Sequence, residues 1–179
     1  MNYQDVLDFW FNPETQLVWF AKSDNFDQLI QDKCSAVHTQ AAQAELWSWR
    51  KTAEGRLAEI IVLDQFSRNL FRDQAHAFAQ DALALALAQE AISLDLDQQL
   101  SPEQRTFLYM PFMHSESKLI HEFALKLFQR LGNPLNLDYE KKHKIIIDRF
   151  GRYPHRNHIL ARRSTAEELE FLTQPNSSF

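Results

Sequence analysis

Only one cysteine and three glycines occur in this chain of 179 residues, and no apolar run approaches the ~20 residues that a membrane-spanning helix needs. The lone thiol, Cys34, cannot form an intramolecular disulfide, which fits a reducing compartment. Gly55, Gly132 and Gly151 are too few for hairpin-rich sheets or phosphate-cradling loops. Neither a Rossmann fingerprint nor a P-loop can be written, and no cofactor is expected. The opening Met1–Asp5 has no basic stretch leading into an apolar one, so the reading is no secretion leader and a cytoplasmic location. HExxH and paired-cysteine signatures are missing as well. His155 and His158 have a ligand-like i, i+3 spacing, but the arginines beside them repel a cation, so no metal is expected.

What is present reads as helix. Apolar residues make up 45% of the chain and charged residues 24%, the balance of a folded globular protein. Residues 3–11 form a short aromatic helix stopped near Asn12-Pro13. Asp24 caps a helix to about residue 43, and Trp47 and Trp49 sit on a short segment after it. Thr52 caps the next helix, with Leu57, Ile60, Ile61 and Leu63 on its apolar face. Residues 74–93 are rich in alanine, the best helix former. Ser101-Pro102-Glu103-Gln104 is a capping box that opens a helix to about Met113. Ser115 or Ser117 starts another, closed by Gly132. Asp138 caps residues 139–150, Pro154 opens a short helix to about Arg162, and Ser164 with Glu167 boxes the last, 165–173. The expectation is an all-α fold of eight or nine helices with short connections, which stack as antiparallel hairpins or a compact bundle. It forms one domain over 1–173 with a frayed tail at 174–179. The aromatic opening (Phe9, Trp10, Phe11, Trp19, Phe20, Phe26) reads as core, with a ligand wall as the sharper alternative. His38, His76, His121 and His143 read as surface or partly buried groups without a role.

Charge is unevenly spread. Net charge is −5, yet residues 141–163 carry eight Lys/Arg against one acid, Asp148. A basic strip on an acidic body points to an anionic ligand or to an internal electrostatic dock.

Three stretches hold the polar chemistry. In the first, Asp64, Gln65, Arg68, Asn69 and Arg72 fall on one stripe of a helix, opposite Val62, Leu63, Phe66 and Leu70. Solvated helix faces favour Lys and Glu. Here the residues are forked or planar hydrogen-bonders suited to fixed geometry, so the stripe reads as a ligand-binding or structural network, against plain surface. In the second, His114-Ser115-Glu116 sets an acid and a base on a turn after Pro111. His114 and Glu116 are the candidate catalytic pair, with a capped helix start as the alternative. The third, Arg149 to His158, holds Arg149, Arg152, His155, Arg156 and Asn157 around a glycine break and a proline. It reads as forks for carboxylate or phosphate, or as a surface loop bridging to acids.

These stretches resemble the bacterial domain-of-unknown-function 924 family. The match is carried by Leu63-Asp64-Gln65-Phe66 with Arg68, Asn69 and Arg72, and by Tyr109-Met110-Pro111 with Met113 to Glu116. It continues in Arg149-Phe150-Gly151-Arg152 with Pro154 to Asn157, in Arg163-Ser164-Thr165, and in the opening Val6 to Phe11 with Trp19-Phe20. Ser67 stands where that family usually has proline, and Ala161 where it usually has glycine. The resemblance implies a tetratricopeptide-like helical arrangement and no particular activity.

Two functional readings follow. In one, the three stretches converge on a cleft that binds a small phosphate- or carboxylate-bearing molecule, with hydrolysis or group transfer as the reaction class. In the other, helical hairpins present a groove to an acidic peptide. A third has the arginines and acids only locking helices together. Neither a membrane partner nor a nucleic-acid partner is expected, since the chain is acidic overall and the strip lacks a reading motif.

Overall fold

Helix signals in the sequence become helices almost wherever they occur. In the computed structural model, which describes residues 1–178, the α-helices are α1 (Tyr3–Trp10), α2 (Pro13–Gln16), α3 (Asp24–Ala42), α4 (Ala53–Ile61) and α5 (Ser67–Leu70). They continue with α6 (Asp81–Ser93), α7 (Pro102–Met113), α8 (Lys118–Leu131), α9 (Pro134–Phe150) and α10 (Ala166–Phe171). No strand occurs among the described residues, so the fold is all-α. No helix among them is long and apolar enough to cross a membrane.

Caps set most boundaries, and they correct four expectations. Ser23, not Asp24, caps α3 through its side chain. α9 begins at Pro134 and not after Asp138, because Asn133 accepts the backbone N–H of Leu135 and Asn136 and proline suits the first helical position. The helix opened by Pro154 is a single 3-10 turn, Pro154–Arg156. The final capping box is Thr165 with Glu168, one residue beyond the expected pair.

The described chain divides into two compact units. The first holds Met1–Arg72 and His76–Pro111, and the second holds Asp73–Ala75 and the described residues from Phe112 onward. In the first unit α4 packs against α1 and α6, and every residue from Gly55 to Ser67 is buried. Gly55 is required there, since a Cβ would lie 2.0 Å from the Trp49 carbonyl oxygen. Trp10 is the hub of the aromatic core, with Trp19, Phe66 and Phe107 rings 5.5–5.9 Å away. Burying such rings stabilises by about 1.5–3 kcal/mol each. Of the aromatic opening, Trp10 and Phe26 are buried, Phe9, Phe11 and Trp19 half-buried, and Phe20 largely exposed.

In the second unit α8 and α9 pack on each other, joined only by Gly132-Asn133. Ile146, Ile147 and Tyr153 form one buried apolar cluster in it, with Phe150 and Phe171 against them. In the tail, Ser177 is buried and donates to the Leu172 carbonyl, while Phe179 lies outside the described residues.

Candidate functional site

The polar stripe lies in the first unit, on a helix that does not stay regular. Between α4 and α5, Val62–Phe66 form a π-helical turn, wider than an α-helical one. The extra residue breaks the expected stripe: Asp64 is fully buried and Gln65 nearly so. Side chains take up the carbonyls of the widened turn. Ser67 Oγ donates to Leu63 O at 2.6 Å, and Arg68 donates to Asp64 O at 2.7 Å. The Asp64 carboxylate accepts Gln65 Nε2 at 2.5 Å and lies 3.1 Å from Arg68. Arg68 also forks onto Asp81 at the start of α6 (3.0 and 3.2 Å). Arg72 forks onto Asp27 of α3 (2.5 and 2.7 Å), where Asn69 also donates at 2.8 Å. Burial opposes the charge on Asp27, but the Arg72 and Asn69 bonds outweigh it and hold its carboxyl below the usual range.

His38 closes this network. Its Nε2 lies 2.8 Å from Ser67 Oγ, whose own proton goes to Leu63 O, so the imidazole donates. Burial keeps this ring below its ordinary pKa and therefore neutral.

The other two motifs meet in the second unit. Glu116, between α7 and α8, accepts both arms of Arg162 (2.5 and 2.9 Å) and the Tyr153 N–H (2.7 Å). Burial works against its charge, but those bonds and the charges of Arg162 and Arg156 hold it below the usual carboxylate range. Arg152 forks onto Glu168 at 2.6 and 2.8 Å. That bond, with the Thr165 N–H and Asn157, brings Glu168 down to about 2. Arg149 reaches Glu167 at 2.8 Å on the exposed side. Asn157 donates to Ser164 and accepts from Arg162. Arg156 is buried, its guanidinium carbon 4.5 Å from the centre of the Tyr153 ring, and the His155 ring lies 5.6 Å from the same tyrosine. His114 is half-buried, close enough for its charge to bear on His143. Among the described residues no three His, Cys, Asp or Glu side chains gather in a way that could hold a metal ion.

A family profile described as "Bacterial protein of unknown function (DUF924)" matches residues 6–176. The chain belongs to the DUF924 family. A solved structure of a protein of unknown function from Agrobacterium tumefaciens is 42% identical to this DUF924 chain. The alignment covers 95% of this chain and 96% of that one, with a TM-score of 0.89. A comparison with curated proteins gives no match.

Several residues that shape the DUF924 sites were passed over in the sequence. His38, His121 and His143 are buried rather than surface or partly buried, and His76 of that set is exposed. The signal was periodicity. His121 shares the buried face of α8 with Ala124, Leu127 and Phe128, and Glu140 with His143 shares that of α9 with Ile146 and Ile147. His143 donates from Nδ1 to Tyr139 O, and burial pushes its pKa down to about 3. The acids Asp27, Asp81 and Glu168 were readable as residues but not as partners, because their arginines lie 13 to 45 positions away.

Proposed function

We propose that this protein binds a small anionic ligand, phosphate- or carboxylate-bearing, at the Arg/His/Glu/Asn cluster of its second unit. One observation carries the reading: Arg156 is buried with its guanidinium carbon 4.5 Å from the centre of the Tyr153 ring, close enough for its charge to act on Glu116. A guanidinium held in place by an aromatic face is pre-organised for a planar or tetrahedral anion. Arg152, His155 and Asn157 border it. The stripe in the first unit differs, with Asp27, Asp64 and Asp81 against Arg68 and Arg72, and we read it as a hydrogen-bonded lock.

Hydrolysis or group transfer suits such a site. Both Glu116 oxygens are engaged by Arg162 and its charge is stabilised, which makes it an orienting group, so proton transfer falls to His114. The lone, buried Cys34, its thiol pushed up to about 11 by burial, supports placing the protein in a reducing cytoplasm. A second reading, docking of an acidic peptide, is favoured by the exposed Leu119, Phe123 and Ile145 on the α8–α9 hairpin together with the Lys126 ammonium 5.7 Å from the centre of the Phe123 ring.

Calorimetric titration with inorganic phosphate and small dicarboxylates tests the first reading. Saturable binding is expected, weakened about tenfold or more in Arg156→Gln and partly kept in Arg156→Lys, with circular dichroism unchanged. No binding by the wild type, or equal binding by Arg156→Gln, overturns it. Binding of acidic peptides alone moves the case to the second.

A further inference from the structure

Within the second unit His121 and Glu140 face each other fully buried, with Nδ1 2.8 Å from Oε1. The other ring nitrogen decides the proton count. His121 Nε2 lies 2.9 Å from the Ser115 carbonyl, which only accepts, so Nε2 carries a hydrogen. The Tyr153 hydroxyl, 3.2 Å from the same nitrogen, donates its own hydrogen to Met113 O at 2.5 Å and offers Nε2 only a lone pair. One more proton must then lie between Nδ1 and Oε1, or two lone pairs would meet. Glu140 Oε2 accepts no hydrogen bond among the described residues, a costly place for a full negative charge. Burial pushes the Glu140 carboxyl up, and His121 and Lys144 oppose this only in part.

The two carbonyls gripped by this cluster, Met113 and Ser115, flank His114 and lead into Glu116. We propose that His121 and Glu140 form a one-proton dyad that positions the His114–Glu116 turn, so that losing the shared proton loosens the turn and weakens the anion site. The last clause rests on the anion-binding reading above, and the first does not.

The chemistry is direct. Without the shared proton, the imidazole can satisfy Glu140 only by moving its hydrogen from Nε2 to Nδ1, which strips Ser115 O of its donor. Lys144 and Asp148 of α9 act by charge on Glu140 itself, while His114 of the turn and Arg156, from the segment after Gly151, act with His121 on the neighbouring His143, and Arg156 acts on Glu116 of the turn. His143 stays neutral over the working range, so it does not supply the switch. His121 and Glu140 are positioning residues here, since they act through the turn.

Imidazole nitrogen NMR on the full chain, followed over pH and paired with phosphate titration, tests this in the wild type, Glu140→Gln and His121→Phe. Glutamine keeps a donor for Nδ1 but has no removable proton. Expected in the wild type is one step, on raising pH, in which the His121 ring and the Ser115 and Glu116 backbone resonances move together. Glu140→Gln keeps those backbone resonances in place and lacks the step, whereas His121→Phe displaces them at every pH. Phosphate binding weakens about tenfold above the step in the wild type and at all pH in His121→Phe, the worth of one well-placed hydrogen bond, and stays level in Glu140→Gln. Should His121→Phe fail to fold, Glu140→Gln carries the test. The dyad is overturned if the His121 ring nitrogens change with pH while the Ser115 and Glu116 backbone resonances stay still, or if Glu140→Gln lacks the step but moves Ser115 and Glu116 away from their wild-type positions. Resonances that behave as expected with no phosphate binding uphold the dyad and remove the anion reading.

Discussion

In the first unit the buried acids Glu59 and Asp64 sit inside the Gly55–Ser67 run and are met by arginines whose own forks reach partly into solvent, Arg50 and Arg68. In the second unit the buried polar groups include the imidazoles of His121 and His143, Glu140, Asn157, Glu168 and the guanidinium of Arg156. The two regions use the same residue types for different ends. Where carboxylates match or exceed guanidiniums inside a closed hydrogen-bond net, the charges hold helices in register. Where a buried guanidinium lies over an aromatic ring with buried histidines in the same unit, we read the charge as serving a ligand. Loss of a charge should therefore read out as stability in the first unit, and as binding or pH response in the second.

The sharpest way to break this contrast is Asp64→Ala. It strands Gln65 and part of Arg68 in a fully buried π turn, and a broken buried charge network costs about 3 kcal/mol or more. Urea denaturation should show that loss with no change in phosphate titration. A near-neutral Asp64→Ala would mean that the stripe is not a lock, and the distinction between the units would lose its first half.

Glu168→Gln probes the second unit with a smaller effect. The Glu168 carboxyl sits at about 2, below the ordinary glutamate value of about 4.3. A lowered acid contributes its full stability above the unfolded-state value and loses it as pH falls toward the folded one. The contribution is therefore present above about pH 4.5 and fades toward pH 2. Arg152 is partly open to water, so screening keeps the effect to about 1–2 kcal/mol at neutral pH. Urea midpoints measured from pH 7 to pH 2 should show the variant weaker at the top and equal to the wild type at the bottom. A gap that persists at pH 2 would assign the loss to packing and not to charge.

How much of this was visible in the chain depends on distance. Caps are local, so Thr52, Ser101 with Gln104, and Gly132 marked their helix ends directly. The boundary errors are local as well. Asn133-Pro134 is as good a start signal as Asp138, and it wins because it comes first and two backbone N–H groups use it. The π turn was illegible, because α-helical spacing assumes the very regularity that Val62–Phe66 abandons. The stripe was right as a set of hydrogen-bonding residues, but its partners Asp27 and Asp81 come from elsewhere in the fold. The meeting of Glu116 with Arg162 spans 46 positions, and composition showed only that the arginine lay in a basic strip.

The smallest effect concerns Ala161, where the family usually has glycine. Its φ is 52°, the left-handed region, in the turn that delivers Arg162 to Glu116. A Cβ there costs about 1–2 kcal/mol, and glycine gives back about 0.5–1 kcal/mol in chain entropy when the turn forms. Ala161→Gly should therefore raise stability by about 0.5 kcal/mol, read as a small rise in urea midpoint with unchanged slope. Its value lies in sharpening the contrast between the units. The relaxed turn keeps the same partners for Arg162, so phosphate affinity should hold or improve slightly. A stability gain with sharply weakened binding would mean that the strained turn itself, and not Arg156 held against Tyr153, sets the site.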